Sequence, residues 1–356
     1  MRVTAPPRAF AVCGFQGSGK TTLLEEVIRE LRGRGLSVGA VKTDAHGLRV
    51  DGAGTDSDRL YRAGAEVAVL APGEALHRRS EDEPGGGRRR AVEPLAARLT
   101  SRHDLVLVEG GKGSSLPKIW LGRPGEEAEP PANVAAVELV LPWDSERVAG
   151  TLRTLERLLD RDWSSGPMAG GVLAGGASRR MGTPKADLEI AGKTLLRRTG
   201  EILGERLAPV VRLGGDGGPW PCLPDPPGLV GPLAGMVAAQ RWAPGTTWVF
   251  VACDLPRLSS EVLEWLLARR RPGTWAVIPR AGGVSQPLMA VYEPMLRPRL
   301  EALAGSESPS PSRLVGTERV IDPEVPGELE DAFHGANTSA EWLRETLLPG
   351  QDPPRG

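Results

Sequence analysis

Two glycine-rich segments, each placed directly after an apolar run, constrain the fold of this 356-residue chain. The first is Gly14-Phe15-Gln16-Gly17-Ser18-Gly19-Lys20-Thr21-Thr22, and the second runs from Leu173 to Lys185 as Leu-Ala-Gly-Gly-Ala-Ser-Arg-Arg-Met-Gly-Thr-Pro-Lys. Glycines let successive backbone N–H groups turn inward around phosphate oxygens. Because the two segments are not copies of each other, we expect two phosphate-binding units of different design on one chain.

Apolar runs alternate with helical spacing in both halves of the chain, which favours mainly parallel α/β sheets. We predict strands at residues 8–13, 36–41, 67–70, 105–108, 135–141, 169–173, 208–213, 248–252, 275–278 and 288–292. We predict helices at residues 22–32, 144–159, 194–207, 233–242 and 259–270. Segments rich in Pro, Gly and charge predict surface loops at 78–94, which contains the basic triplet Arg88 to Arg90, and at 122–131.

Composition gives the expected domain bounds. A Ser-Ser-Gly-Pro string predicts a linker at 163–167 between domains at 1–162 and 168–348, and residues 349–356 have the composition of a disordered tail.

Charge and cysteine usage exclude several classes of protein. The net charge of −1 argues against a general nucleic-acid or membrane-surface binder. No apolar run approaches the roughly 18 residues of a membrane helix, and residues 1–10 lack the apolar core of a signal peptide. The three cysteines, Cys13, Cys222 and Cys253, have no Cys-x-x-Cys spacing, so we expect a cytoplasmic protein with neither zinc site nor disulfide, and Cys253 as a buried strand residue.

Lysine is scarce in this chain, which makes each lysine a candidate for a special role. Of 44 Lys and Arg residues only six are lysine: Lys20, Lys42, Lys112, Lys118, Lys185 and Lys193. A phosphate-binding lysine needs the compact ammonium group that arginine lacks. Lys20 and Lys185 fall near or at the ends of the two glycine-rich segments, as phosphate binding predicts.

The first segment matches the P-loop pattern in full, between a predicted strand and a predicted helix. Lys20 would reach the β- and γ-phosphates of a nucleotide, and the Thr21 hydroxyl would ligate Mg²⁺. The predicted nucleotide-binding residues of this segment are Gly17, Ser18, Gly19, Lys20, Thr21 and Thr22.

The sequence around the first segment resembles the MobB family, the GTP-binding adaptor of molybdenum-cofactor guanylylation, over about residues 8 to 160. The resemblance rests on the segments 41–47, 51–57, 63–65, 105–110 and 117–119. It implies GTP binding, a metal near Glu109, an acidic position at Asp56 and pairing of two copies through this half. The family usually carries a histidine where this chain has Thr43. His46 is the one histidine left in that histidine-rich turn, and a single histidine there is more often a surface-loop residue than a ligand.

The second segment has residue types suited to a triphosphate. Gly175 and Gly176 permit close backbone approach, while Arg180 and Lys185 supply two cations for a pyrophosphate leaving group. Asp254 ends an apolar strand, where α/β sheets bind ligands, and could ligate Mg²⁺ through oxygen. The alternative, Asp254 as a helix cap, is weaker because the better cap candidate Ser259 lies five residues further on.

These residues resemble the nucleotidyltransferase family that includes MobA, over about residues 168 to 346. The resemblance implies nucleotide binding at Leu173, Ala174, Gly175, Gly176, Lys185, Asp225 and Asp254. It implies catalytic roles for Arg180, Lys185 and Asp254, and a pterin side at Gln286, Pro287, Asn337 and Thr338. The family often has an asparagine after its third strand, whereas this chain has Leu213-Gly214-Gly215.

The two resemblances together imply a fused MobB–MobA protein: an α/β chain with a P-loop NTPase-like domain followed by a Rossmann-like nucleotidyltransferase domain. Such a protein would transfer GMP from GTP to molybdenum-bound molybdopterin with Mg²⁺, release pyrophosphate and hydrolyse GTP weakly in its first half. Apo-molybdoenzymes or their chaperones are the implied partners. Three alternatives remain open: a cytidylyltransferase for the same pterin, a sugar-phosphate nucleotidyltransferase, and a nucleotide-dependent cofactor chaperone without transferase activity.

Overall fold

The structure is a computed structural model that describes residues 8–43, 54–64, 66–71, 74–77, 92–175, 185–190, 192–215 and 217–335. The chain divides into two compact units between Gly166 and Pro167. Each unit has its own seven-stranded sheet. Within the described ranges, no helix combines the length and apolar character that crossing a membrane requires.

The first unit alternates strands and helices. Its strands are β1 (Ala9–Gly14), β2 (Val38–Thr43), β3 (Glu66–Ala71), β4 (Glu74–His77), β5 (Leu105–Glu109), β6 (Lys118–Leu121) and β7 (Val137–Leu141). Its helices are α1 (Lys20–Gly33), α2 (Asp56–Arg62), α3 (Val92–Thr100) and α4 (Arg147–Ser165).

The sheet of the first unit has the strand order β4-β3-β2-β5-β1-β6-β7, and every pair except β3–β4 is parallel. Strands β1 and β5 are buried along their whole length, as expected for central strands covered on both faces. Because parallel strands end at one edge, Gly14, Thr43, Glu109, Leu121 and Leu141 all lie along the carboxyl edge of this sheet.

The second unit has shorter elements. Its strands are β8 (Met168–Leu173), β9 (Glu189–Ile190), β10 (Lys193–Thr194), β11 (Val210–Leu213), β12 (Cys222–Leu223), β13 (Thr247–Ala252), β14 (Ala276–Val277), β15 (Arg280–Ala281), β16 (Val284–Ser285), β17 (Met289–Tyr292) and β18 (Val320–Ile321). Its α-helices are α5 (Leu195–Gly204), α6 (Pro232–Trp242), α7 (Ser260–Leu267), α8 (Arg297–Ala304) and α9 (Gly327–Glu330).

The main sheet of the second unit has the order β12-β11-β8-β13-β17-β14-β18, with β17 antiparallel to both neighbours. Alternate side chains of β13 enter two different apolar clusters: Val249 and Val251 join one, and Trp248 and Phe250 join the other. The sheet is therefore buried on both faces. From β8 the chain adds β11 and β12 on one side of the sheet, whereas β13 and β17 lie on the other side. The sheet therefore has a switch point between β8 and β13, and α/β sheets bind ligands at such points.

The predicted α/β class is confirmed, but several elements differ from expectation. Strand β6 was not predicted. It begins at Lys118, and a lysine directly after a proline does not indicate a buried strand, although this lysine is fully buried. Helices α2 and α3 and strand β4 were also missed, and residues 92–94, expected in a surface loop, begin α3. Helix α4 continues to Ser165, because Trp163 is buried on this helix and its ring lies under the Arg8 guanidinium.

Candidate nucleotide-binding sites

The first glycine-rich segment forms a tight turn between β1 and α1. Gly17 and Gly19 have φ of 81° and 77°, a left-handed conformation that glycine adopts at low cost. A Cβ at Gly14 would lie 2.4 Å from the Ser18 hydroxyl oxygen and 2.8 Å from the Leu121 carbonyl oxygen, so only glycine fits there. The turn leads directly into the N-terminus of α1, where unpaired backbone N–H groups and the helix dipole favour anions.

A buried carboxylate at the end of β5 contacts this turn. The Thr21 hydroxyl donates a hydrogen bond of 2.9 Å to Glu109 Oε1, and the Glu109 side chain is buried. Its other oxygen, Oε2, is buried and has no hydrogen-bond partner among the residues that the structure describes. Burial raises the pKa of Glu109, although the Thr21 hydrogen bond and the charge of Lys42 oppose that shift. An acid with an unsatisfied buried oxygen costs stability, which is typical of a group placed for a ligand.

The Lys20 ammonium lies next to the same turn. Its Nζ donates to the Phe15 carbonyl oxygen at 2.9 Å, within the turn itself. Burial lowers the pKa of Lys20, and the nearby Glu109 charge partly opposes this shift. The structure thus brings Lys20, Thr21 and Glu109 together at one edge of the sheet.

The end of β2 adds a second set of contacts. Lys42 forms a salt bridge with Asp56 on α2. The Thr43 hydroxyl donates to the Glu109 carbonyl oxygen at 2.9 Å and accepts from the Gly111 N–H at 3.1 Å. Thr43, which stands where the MobB family usually has histidine, therefore fixes the backbone on both sides of Gly110.

Arg147, at the start of α4, ties three segments of this edge together. Its guanidinium donates to the carbonyl oxygens of Ser18 at 2.8 Å, Gly122 at 2.6 Å and Pro142 at 2.9 Å. It also lies over the Trp143 ring, 4.7 Å from the centroid. The ends of β6 and β7 are thereby fastened to the first glycine-rich turn.

Three strand ends converge in the second unit. The Ala174 N–H donates to the Leu213 carbonyl oxygen at 3.0 Å, and the Cys253 N–H donates to the Leu173 carbonyl oxygen at 3.1 Å. These contacts join the carboxyl ends of β8, β11 and β13.

Glycine permits this approach. A Cβ at Gly214 would lie 3.0 Å from the Gly175 Cα, and a Cβ at Gly215 would lie 2.6 Å from the Ala174 carbonyl oxygen. Both Gly214 and Gly215 are left-handed, with φ of 71° and 63°. The residues found in place of the family's asparagine thus pack backbone against backbone on the second glycine-rich segment.

The predicted acids of the second unit lie near this edge with different exposure. Asp254 follows β13 and is half-buried, whereas Asp225 is exposed beyond β12. Cys253 is buried, as predicted, but it lies one residue beyond the end of β13 and not within a strand. Gln286 and Pro287 lie between β16 and β17.

Several predicted residues lie outside the described part of the chain. They are His46, Gly176, Arg180, the side chain of Lys185, Asn337, Thr338, the triplet Arg88 to Arg90 and the tail at 349–356. Within the described ranges, no cluster of three or more His, Cys, Asp and Glu side chains forms a metal-binding group.

Comparison with known proteins gives a family match in each of the two units. Residues 170–319 match the family model described as a MobA-like NTP transferase domain. A probable molybdenum cofactor guanylyltransferase of Mycobacterium tuberculosis is 40% identical over 160 residues, which cover 42% of this chain and 79% of that protein. The chain belongs to the MobA-like nucleotidyltransferase family. We call residues 167–335 the MobA-like unit.

The first unit matches a second family model, described as molybdopterin guanine dinucleotide synthesis protein B, over residues 9–141. The molybdopterin-guanine dinucleotide biosynthesis adapter protein of Haemophilus influenzae is 39% identical over 112 residues, which cover 32% of this chain and 61% of that protein. We call residues 8–166 the MobB-like unit. The predicted fusion of MobB and MobA regions is confirmed.

A solved structure also aligns with the chain. Protein A of molybdopterin-guanine dinucleotide biosynthesis from Archaeoglobus fulgidus is 27% identical, covers 50% of this chain and 97% of its own, and has a TM-score of 0.43. The family matches support a transferase with a general role in molybdopterin guanine dinucleotide synthesis.

Sequence reasoning missed two residues beside the first turn: Trp143, which follows β7, and Arg147, which lies at the start of α4. Both lie more than 120 positions from the turn, and no motif marks them. It also assigned no role to the Thr43 hydroxyl or to the pairing of Lys42 with Asp56. Lysine scarcity and the resemblance over residues 41–47 had marked Lys42 in advance, but neither indicated its partner.

Proposed function

We propose that this chain transfers GMP from GTP to molybdenum-bound molybdopterin, releasing pyrophosphate and forming molybdopterin guanine dinucleotide. The observation that carries the proposal is the junction of β8, β11 and β13, where the backbones of Ala174–Gly175 and Gly214–Gly215 touch beside Asp254. That junction lies at the switch point of a MobA-like sheet, the position at which such sheets hold nucleotides. The MobB-like unit binds GTP as an adaptor.

Transfer requires the alignment of two anionic reactants. A terminal phosphate of the pterin attacks the α-phosphorus of GTP, the bond to the β-phosphate breaks, and pyrophosphate leaves without a covalent enzyme intermediate. Backbone N–H groups of the glycine-rich segment hold the triphosphate, while Arg180 and Lys185 neutralise charge on the leaving group. Asp225 contacts the nucleotide.

Asp254 supplies an oxygen ligand for Mg²⁺, which when bound stabilises negative charge on the phosphates. Mg²⁺ in phosphoryl-transfer sites usually takes only one or two carboxylates, with waters and phosphates as the other ligands. A single half-buried aspartate at a strand end fits that pattern.

The MobB-like unit holds GTP in a different way. Lys20 binds the terminal phosphates, and Thr21 with Glu109 holds Mg²⁺. The buried Oε2 atom of Glu109 supports this assignment, because it has no hydrogen-bond partner within the described part of the chain and a cation would satisfy it. Weak hydrolysis of GTP in this unit forms part of the proposal.

The second candidate is a cytidylyltransferase for the same pterin, because a residue that the family often uses to contact the nucleotide differs here. Gly214 and Gly215 stand where the family often places an asparagine, and these two residues themselves offer the base only backbone groups. We nevertheless propose the guanylyl activity, because the MobB-like unit belongs with guanine dinucleotide synthesis by its family description.

The decisive experiment supplies molybdenum-loaded molybdopterin with GTP, CTP or ATP in separate reactions and measures pyrophosphate release. We expect release with GTP and little with the other two nucleotides. An Asp254→Ala variant serves as the inactive control. Preference for CTP would contradict the guanylyl proposal, and absence of release with every nucleotide would favour the cofactor chaperone.

A further inference from the structure

Trp143 is an exposed aromatic residue beside the first glycine-rich turn. It follows β7 in the string Leu141-Pro142-Trp143-Asp144, and 45% of its surface is accessible. Large aromatic side chains are usually well buried, because their burial contributes strongly to stability. An exposed tryptophan at a ligand-binding edge is therefore a candidate for contact with the ligand.

The position of the Trp143 ring is tied to the turn. Its Cζ3 atom lies 3.6 Å from the place a Cβ of Gly19 would take, and Gly19 directly precedes Lys20. Arg147 lies over the ring and at the same time bonds the Ser18 carbonyl oxygen. Arg147 is half-buried, and this burial lowers the pKa of its guanidinium. The ring is held at a fixed place relative to the phosphate-binding backbone.

Charge around the turn indicates the direction a bound nucleotide must take. On the β5 and β2 side lie Glu109, Lys42 and Asp56, which suit the metal and the terminal phosphates. A nucleotide with its terminal phosphates on that side extends its nucleoside toward the opposite side, past the ends of β6 and β7. Trp143 is exposed there.

Within the described ranges, Phe15 is the other exposed aromatic side chain on this side, but its surroundings differ. The Lys112 ammonium lies 4.5 Å from the Phe15 ring centroid, and the Arg123 guanidinium lies 4.9 Å from it. Trp120 contacts the ring at a T-shaped angle with centroids 5.4 Å apart. Phe15 thus contacts three described groups, although 38% of its surface stays accessible, whereas Trp143 contacts the Arg147 guanidinium.

We propose that Trp143 is the stacking platform for the base of the nucleotide held by the first glycine-rich turn, with Arg147 positioning the ring. The inference rests on the proposed binding of a nucleotide by the MobB-like unit, and the ligand class is a nucleoside triphosphate with a purine base. Base–aromatic stacking contributes about 1–3 kcal/mol per base, which corresponds to roughly 5- to 150-fold in affinity.

Calorimetric titration of the full chain tests the platform. Lys20→Ala first identifies which of the two nucleotide-binding events belongs to the MobB-like unit. At that event we expect Trp143→Ala to weaken GTP about 5- to 150-fold, Trp143→Phe to retain most of the affinity, and tripolyphosphate binding to be equal in Trp143→Ala and the unsubstituted chain.

Intrinsic fluorescence gives a second readout that does not depend on the alanine variant. We expect GTP to quench the unsubstituted chain and Trp242→Phe, but to quench Trp143→Phe clearly less, with no change on adding tripolyphosphate. Trp242 is a suitable control because it is also exposed, at 54%, and lies at the end of α6 in the MobA-like unit.

The outcomes separate this inference from the function it rests on. Unchanged GTP affinity in Trp143→Ala, or equal weakening of GTP and tripolyphosphate, would overturn the platform and leave the adaptor proposal standing. If Lys20→Ala removed neither binding event, both the nucleotide site of the MobB-like unit and the platform would fall.

Discussion

The MobB-like and MobA-like units use the same edge of a parallel sheet by different means. In the MobB-like unit, side chains close the site: Thr21 bonds the buried Glu109, and Arg147 fastens the turn to two further strand ends. In the MobA-like unit, backbones meet at Gly175, Gly214 and Gly215, and the predicted acids are half-buried or exposed. The first arrangement suits a clamp for one ligand, and the second leaves an open edge where two reactants can meet.

A buried carboxylate in each unit sharpens this contrast. Among the described residues, one oxygen of Glu109 has no partner, whereas both oxygens of Glu293 in the MobA-like unit accept hydrogen bonds. Arg270 Nε donates to Glu293 Oε1 at 2.7 Å, and the Thr247 hydroxyl donates to Oε2 at 2.6 Å. A buried acid with all its partners maintains the fold, while one with an unsatisfied oxygen is available to a ligand.

The largest expected effect concerns transfer activity. We expect Asp254→Ala or Lys185→Ala to abolish GMP transfer, a loss of at least about a hundredfold. The first variant would lose a ligand for Mg²⁺, and the second would lose a cation that neutralises the leaving group. Lys20→Ala should reduce transfer less than about tenfold, since an adaptor's nucleotide does not react. Pyrophosphate release measures all three variants.

The reverse order of these effects would contradict the different roles given to the two units. Complete loss of transfer in Lys20→Ala would mean that the first turn holds the reacting nucleotide, and the adaptor assignment would be wrong. Retained transfer in Asp254→Ala would remove this acid from the proposed metal site.

The next largest effect is on stability. Glu293→Gln should lower the free energy of unfolding of the MobA-like unit by about 3–5 kcal/mol, because it leaves the buried Arg270 guanidinium without its charge partner. Glu301→Gln is the matched control, since its pair with Arg241 is exposed and should contribute less than about 1 kcal/mol. Denaturant unfolding compares the two. Equal effects would mean that burial does not distinguish these pairs.

Much of this contrast could be predicted from local sequence. The P-loop pattern placed Lys20 and Thr21 at a helix start, and the resemblance to the MobB family marked Glu109. Strand-end position marked Asp254, because α/β sheets bind ligands at the carboxyl ends of their strands. The apolar runs that became β1, β5, β8 and β13 are long enough to identify without knowledge of the fold.

The remaining features depend on contacts between distant parts of the chain. Lys118 is fully buried in β6 because its Nζ donates to the Ser114 and Leu116 carbonyl oxygens, and a lone lysine after proline gives no strand signal. Arg147 and Trp143 reach the first turn only because β7 pairs with β6. Antiparallel β17 has the same apolar pattern as a parallel strand, so periodicity cannot give its direction.

The smallest expected effect tests whether Glu109 is held at a cost to the fold. Burial raises the pKa of this carboxyl group, so the folded chain binds its proton more tightly than the unfolded chain. Stability is then lost as pH rises through the folded-state pKa, and the ionised side chain destabilises the ligand-free protein at neutral pH. Glu109→Gln removes the charge and keeps an oxygen for Thr21.

We therefore expect Glu109→Gln without nucleotide to unfold a few degrees higher at pH 7–8, about 2–4 °C for each kcal/mol gained in a unit of this size. The gain should shrink as pH falls toward the usual glutamate pKa of about 4.3, where the unsubstituted acid is protonated too. Glu26 is an exposed acid on the same helix as Thr21, and Glu26→Gln should change neither the unfolding temperature at neutral pH nor its dependence on pH. Thermal unfolding across pH, with Mg²⁺-dependent GTP binding measured in parallel, compares the variants. A stabilised Glu109→Gln chain that binds Mg²⁺ and GTP normally would show that the buried oxygen serves no ligand, and the contrast between Glu109 and Glu293 would lose its functional meaning.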